Sequence, residues 1–356
     1  MQPRDLSDHT EYVAGKGLEE VARDLGKDPS EMVKLASNEN PHGPAPKAVE
    51  AIRDRAPLVH HYPKSVHTDL TAALAEKWDV VTEQIWLSPG GDGALDYLAR
   101  AMLEPEDAVL VPRPGFAYYE MSARFHHGRV REYDVSDELS EFRPETVVEA
   151  YDGERIVYLT SPHNPTGSRY DLDSIRWIAD QTDEETLLVV DEAYEEFAEG
   201  DSARTLLPER DDIAVLRTFS KAYGLAGLRL GYAIVPEDWA ETYAQVNTPF
   251  SVSSLACLAG QAALTDTDHL ERTKETVEWS REYLQENVDT RVYASHGNFV
   301  MVEVGDATAV AEALRERGVI VRDLSSFGLP SHIRITAGTE SETKRAVSEL
   351  NEVLSA

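Results

Sequence analysis

The feature that most constrains this chain is an alternation. From residue 108 to residue 235, short apolar runs take turns with stretches of helical periodicity. Residues 108–111, 155–160, 186–191, 214–218 and 231–235 read as strands, with helices at 118–125 and 172–180. Strands that are apolar on both faces must be covered on both faces, and helices returning between them supply the cover. The pattern predicts an α/β fold with a mostly parallel sheet. After about residue 249 the style changes. A long helix is expected at 269–286, then a strand at 298–304, a helix at 307–317, strands at 319–322 and 332–336, and a helix at 340–354. This predicts a second, smaller α+β layer. The first 40 residues carry no strong strand pattern and read as an arm that packs on that layer or on a partner chain. The expected division is an arm at 1–40, a large domain at 41–249 and a small domain at 250–356.

Composition narrows the function. The 356 residues hold 65 acidic and 34 basic side chains, a net charge of −31. Nine lysines leave 25 arginines among the basic residues. No basic footprint for nucleic acid is visible. The acids are dispersed among periodic apolar residues, which favours a folded protein with an acidic surface over a disordered one. Such a surface repels itself unless salt screens it; at ~1 M salt the Debye length is about 3 Å. The composition resembles that of proteins from extreme halophiles. In a refolding series across salt, the protein is expected to lose stability in dilute buffer and regain it at molar salt. Full stability in dilute buffer would count against this. No apolar run reaches the roughly 18 residues of a membrane span. The first ten residues lack the basic start and apolar core of a signal peptide, so the expected location is cytoplasmic. The single Cys257 lies in an apolar stretch and reads as a buried small hydrophobe. His60-His61 and His126-His127 are adjacent pairs that share no helix or strand face, so no metal site is expected.

In open α/β sheets, ligands sit beyond the carboxyl ends of the strands. The polar residues that follow the apolar runs are therefore the candidate site. Residues 155–160 lead into Ser161, Pro162, His163, Asn164, Pro165, Thr166 and Gly167. Residues 186–190 end at Asp191, followed by Glu192, Ala193 and Tyr194. Residues 214–218 lead into Phe219, Ser220 and Lys221. Taken singly these are common features: a Pro/Gly turn, an acid capping a helix, a surface lysine. Lys221 stands apart because lysine is scarce here and its neighbours are apolar. A lysine in a low-dielectric site loses proton affinity and becomes a usable nucleophile and base. Gly90-Gly91-Asp92-Gly93 precedes a helical pattern at 94–103, and the backbone N–H groups at a helix start bind anions.

The segment from Ser220 and Lys221 through Gly224, Gly227 and Arg229 to Gly231 strongly resembles the lysine segment of class I/II aminotransferases, the fold-type I pyridoxal-phosphate enzymes. The spacing of Asn164, Asp191, Lys221 and Arg229 agrees with that family, and the resemblance runs from about residue 35 to residue 339. It implies a large domain with a mostly parallel seven-stranded sheet and a small α+β domain. The segments 34–44, 61–63, 189–194, 217–221, 318–322 and 333–339 are most similar to the subgroup that exchanges an amino group between L-histidinol phosphate and 2-oxoglutarate in histidine biosynthesis.

The resemblance also implies roles. Lys221 would carry the aldehyde of pyridoxal 5'-phosphate and then move the proton during catalysis. Asp191 would pair with the ring nitrogen, and Tyr194 and Asn164 would hydrogen-bond the ring oxygen. Phe116 would stack on the ring. Gly91, Asp92, Thr218, Ser220 and Arg229 would hold the phosphate. Gly93 stands where the family usually has a second acid, which leaves the individual phosphate donors open. Tyr62 would reach the phosphate held by a neighbouring subunit, so the working form would be a homodimer with shared active sites. Arg334 would bind the substrate carboxylate; Arg322 would help bind its phosphate, and Tyr12 would touch substrate from the arm. Other readings within the fold are a threonine-phosphate decarboxylase and a broad aromatic or aspartate aminotransferase. A non-catalytic regulator would need an added DNA-binding module, for which the sequence shows no basic patch.

Overall fold

The computed structural model describes residues 1, 6–7, 9, 17–64, 67–136, 139 and 142–356. Its centre is a seven-stranded sheet. The strands are β1 (Ile85–Ser88), β2 (Ala108–Arg113), β3 (Arg129–Asp134), β4 (Ile156–Thr160), β5 (Leu187–Asp191), β6 (Ile213–Thr218) and β7 (Gly231–Ile234). Their order across the sheet is β1-β7-β6-β5-β4-β2-β3. Pairings within β2 to β6 are parallel, and β7 runs antiparallel to both its neighbours.

The apolar runs explain the two-sided cover. Successive side chains of a strand point to opposite faces. Leu188 and Val190 pack into one buried cluster with Val157, Leu159 and Val215. Leu187 and Val189 pack into the opposite one with Tyr158, Ala214 and Leu216. Every residue of β4, β5 and β6 is buried. At about 1.5–3 kcal/mol per large apolar side chain, these strands anchor the molecule. The edge strand β3 is different: of its six residues only Tyr133 is buried. It carries Arg129, Arg131, Glu132 and Asp134, the charged dress of an edge, and so gives no apolar signal. Helix Ser254–Leu264 packs against helix Pro46–Arg55 and places Ala256, Cys257, Ala259 and Ala263 in the core of the large sheet. Burial pushes the Cys257 thiol up to about 12, which makes it unreactive.

The second layer is a three-stranded antiparallel sheet of Phe299–Glu303, His332–Thr336 and Arg322–Asp323. Helices Ala307–Glu316 and Glu340–Leu354 pack on it around Val300, Val302, Leu314, Ile333, Ile335 and Leu350. The second of these helices starts at a capping box, with Thr339 and Glu342 satisfying each other's end of the first turn. The strand expected at 319–322 is split in two. Val319–Ile320 pairs in parallel with Val33–Lys34, while Arg322–Asp323 turns away to pair with His332–Thr336. The beginning of the chain is thereby sewn into its end: Leu35 N–H donates to the Ile320 carbonyl at 2.8 Å, and Thr336 N–H donates to the Leu35 carbonyl at 2.8 Å.

Candidate active site

A cavity of about 460 Å³ opens where the strand ends of the large sheet face the segment 36–38 and the small sheet. That volume suits a small organic ligand. Its wall includes Gly91, Asp92, Phe116, Asn164, Asp191, Tyr194, Thr218, Ser220, Lys221, Arg229, Arg322 and Arg334. Strand geometry gathers them: Thr160 and Asp191 are register partners at the ends of β4 and β5, and Thr218 closes β6.

Asp191 is the buried anion of this wall. One carboxylate oxygen accepts from the Tyr119 hydroxyl at 2.6 Å and the other from the Ala193 N–H at 3.0 Å. Burial pushes its carboxyl up to about 6; the two donors pull the other way, and Asp92 and Glu192 add to the rise. A carboxylate so placed favours a cation against its open side. Behind it, Glu192 and Glu196 each hold the buried Arg217 at 2.6 Å, tying β5 to β6. Breaking such a pair on one side costs about 3–5 kcal/mol, so this network fixes the strand ends rigidly.

Lys221 lies across the cavity from a backbone acceptor. Its Nζ donates to the Ser37 carbonyl at 3.4 Å and sits 5.6 Å from the centre of the Tyr194 ring. The Tyr194 hydroxyl accepts from Asn38 Nδ2 at 3.0 Å. Arg334 donates to Asn164 Oδ1 and, at 2.9 Å, to the Ala36 carbonyl. Its guanidinium stands 5.3 Å from the Phe299 ring centre. Arg322 lies 5.7 Å from the Phe327 ring at the cavity edge.

The opposite end of the cavity is built for an anion. Helix Gly90–Met102 begins there, and no side chain caps its first turn. Unpaired N–H groups and the positive end of the helix favour negative charge. Arg229 donates to Asp92 at 2.8 Å, and Ser220 N–H donates to Thr218 Oγ1 at 3.1 Å. The glycines are required. A Cβ on Gly90 would lie 2.4 Å from the Arg229 guanidinium, and one on Gly231 would lie 2.5 Å from the Gly90 carbonyl carbon. A Cβ on Gly93 would meet the Pro89 ring at 2.4 Å, which explains the missing second acid at that position.

Of the expected site residues that are described, Tyr62 stands outside this wall. Tyr62 is 85% exposed and lies 5.2 Å from the Phe250 ring, both on the surface. Tyr12 falls outside the described residues. The reading of the sequence missed Tyr119, Ala36, Ser37 and Asn38 as parts of the site. The quoted segment 34–44 holds the last three, but nothing in it says that their carbonyls and amide face a lysine and arginine far along the chain. Tyr119 belongs to a helical Tyr-Tyr pair with no local signal.

Together these features set a buried carboxylate, an amine and an anion-favouring helix start around one cavity. Comparison with known proteins agrees. The aminotransferase class I and II family pattern matches residues 30–350. The histidinol-phosphate aminotransferase of Halobacterium salinarum is 63% identical over 363 residues, covering 99% of both chains. That of Halorubrum lacusprofundi is 65% identical over 355 residues, covering 99% of this chain and 98% of its own. Among solved structures, histidinol-phosphate aminotransferase from Sinorhizobium meliloti in complex with pyridoxal-5'-phosphate superposes with a TM-score of 0.88 at 28% identity, covering 96% of this chain and 95% of that one. The chain belongs to the class I and II aminotransferases.

Proposed function

We infer that this chain transfers an amino group between L-histidinol phosphate and 2-oxoglutarate, with pyridoxal 5'-phosphate as cofactor. The observation that carries the reading is one cavity with an amine, a buried anion and cationic groups at both ends, in a chain nearly two-thirds identical to enzymes of that name. The cofactor supplies an electron sink that stabilises negative charge at the substrate Cα. Lys221 anchors it and afterwards moves the proton at that carbon, as base and then acid. Asp191 holds a proton on the ring nitrogen. Tyr194 and Asn164 would hydrogen-bond the ring oxygen, and Phe116 would stack on the ring. Gly91, Asp92, Thr218, Ser220 and Arg229 hold the phosphate at the helix start. Arg334 orients the carboxylate of the acid substrates, and Arg322 lies where a substrate phosphate would be bound. In this reading residues 41–249 form the cofactor domain and 250–356 the small domain, with helix Ser254–Leu264 packing back on the former and residues 1–40 as an arm.

We also read the working form as a homodimer. Leu58, Val59, Tyr62 and Phe250 are large apolar side chains left exposed on the single chain, which suits burial by a second copy. Tyr62 would then reach the partner's phosphate site, and Tyr12 the substrate. No helix among the described residues is long and apolar enough to cross a membrane, which is compatible with a cytoplasmic enzyme.

The test is a panel of amines with 2-oxoglutarate as acceptor: histidinol phosphate, threonine phosphate, aspartate and phenylalanine. Histidinol phosphate is expected to give the highest kcat/KM with ping-pong kinetics. Release of carbon dioxide from threonine phosphate, with no turnover of histidinol phosphate, would overturn the reading. Arg334→Lys replaces a planar fork with a point charge. The expected result is a KM for 2-oxoglutarate raised roughly 10-fold or more, since a bidentate contact is lost. An unchanged KM would remove Arg334 from the carboxylate site.

A further inference from the structure

Asp191 does not stand alone at the end of β5. The Tyr119 hydroxyl donates to its outer oxygen at 2.6 Å and lies 2.8 Å from Thr160 Oγ1. Tyr119 has a single hydroxyl proton, so the Thr160 hydroxyl must donate to the Tyr119 oxygen. This makes a chain of three buried groups, Thr160 to Tyr119 to Asp191, each link strengthening the next. Its ends are fixed by the sheet, because Thr160 and Asp191 face each other in register. Its middle is fixed by packing. The Tyr119 ring stacks on Tyr158 at 4.8 Å and meets Phe116 edge-on at 5.7 Å. Tyr119 is only 1% exposed, yet it borders the cavity. One side chain thus touches both the anion and the aromatic that flank the ring position.

We propose that Tyr119 is a positioning residue: through its bond to Asp191 and its contact with Phe116, it sets the direction and basicity of the carboxylate that faces the cofactor ring. The inference rests on the transamination reading above. A carboxylate that loses a donor binds a proton more tightly. Asp191 deprived of the Tyr119 hydroxyl would draw the proton away from the ring nitrogen and weaken the electron sink. The groups bearing on Asp191 are Tyr119, the Ala193 N–H, Asp92 and Glu192, and of these Tyr119 is the side-chain donor.

The experiment uses the cofactor-loaded full chain. In Tyr119→Phe, kcat for histidinol phosphate is expected to fall roughly 10- to 100-fold, the worth of one hydrogen bond to a charged group. KM should change less than about threefold, because substrate contacts are untouched. The pH midpoint of the bound cofactor's absorbance should shift from the wild-type value, a change that mere loosening of the fold would not produce. Thr160→Val removes only the outer link and should shift the same midpoint in the same direction by less, which keeps the test open if Tyr119→Phe fails to fold. Wild-type kcat and an unmoved midpoint in Tyr119→Phe, or an unmoved midpoint in Thr160→Val when the first variant does not fold, would overturn the proposal. Failure of the wild-type enzyme to bind pyridoxal phosphate or turn over histidinol phosphate would instead overturn the functional reading.

Discussion

Lys221→Ala is expected to leave a folded protein that has lost turnover by roughly 10⁴-fold or more. In the proposed reading the loss is large because one amine serves as anchor, base and acid. Among the described residues, Lys34 is paired with Glu39 and Lys77 donates to the Tyr223 hydroxyl, and neither lines the cavity. Stability should hardly change. Lys221 contributes one long 3.4 Å contact to the Ser37 carbonyl and a loose approach to Tyr194, so the expected cost is within about 1 kcal/mol. Single-turnover kinetics, together with a melting curve, separate the two effects. Retained full activity in the variant would overturn the assignment of the whole site.

Asp191→Asn should remove activity and flatten one component of the pH dependence of the cofactor-free fold. Without a cation beside it, the Asp191 carboxyl in the folded chain is pushed up to about 6, against 3.8 as its ordinary value. The folded state therefore favours the protonated form. The sign follows: this group stabilises the fold below about pH 4, and that contribution is lost as the pH rises through about 6. A shift of about two pH units amounts to about 3 kcal/mol. Between pH 4 and pH 7 the variant should gain about that much relative to wild type, measured by denaturant titration of both cofactor-free proteins. Turnover in the loaded enzyme should fall roughly 10³-fold, the scale of losing a preorganised electrostatic partner. If the stability difference between the two proteins stays flat across that pH range, Asp191 is not a strained buried anion. On the expected outcome, Asp191 destabilises the empty fold at neutral pH and gains from a cation bound against it.

The legible part of this protein is the part in which burial writes a long local signal. Strands β4, β5 and β6 are buried throughout and, apart from Arg217 and their last residues, apolar, because helices cover both faces, and Asn164, Asp191 and Lys221 are conspicuous because polarity returns abruptly at their ends. Strand β3 escapes notice because an edge strand can afford charge on nearly every position. Strand β1, Ile85–Ser88, lies ahead of the stretch from 108 to 235 in which strands and helices alternate, and so stands outside the pattern. The segment 36–38 becomes part of the site through contacts far along the chain, from Asn38 to Tyr194, 156 positions away, to Asn38 N–H with Thr336 Oγ1, 298 positions away. Tyr119 needed the register of β4 and β5 to be known before its hydroxyl could be seen to meet Asp191.

The sewing of the chain's beginning into its end has a consequence for how the molecule is made. During synthesis the strand Val33–Lys34 emerges early, but its partner Val319–Ile320 is among the last segments to appear. Until then the backbone groups of that strand have no ladder, and Asn38 has neither Thr336 nor the Asn298 amide to hold it. Contacts of such long sequence separation form late, after the loop between them has closed. The large sheet can assemble as soon as its own strands are out, with Asp191 and Lys221 already at their strand ends. The wall bearing Arg334 and Asn38 closes over them last. A ribosome-bound chain stopped before residue 319 would therefore carry the Lys221 amine in a half-open cleft, and the residues from 319 onward would act as the seal that closes it.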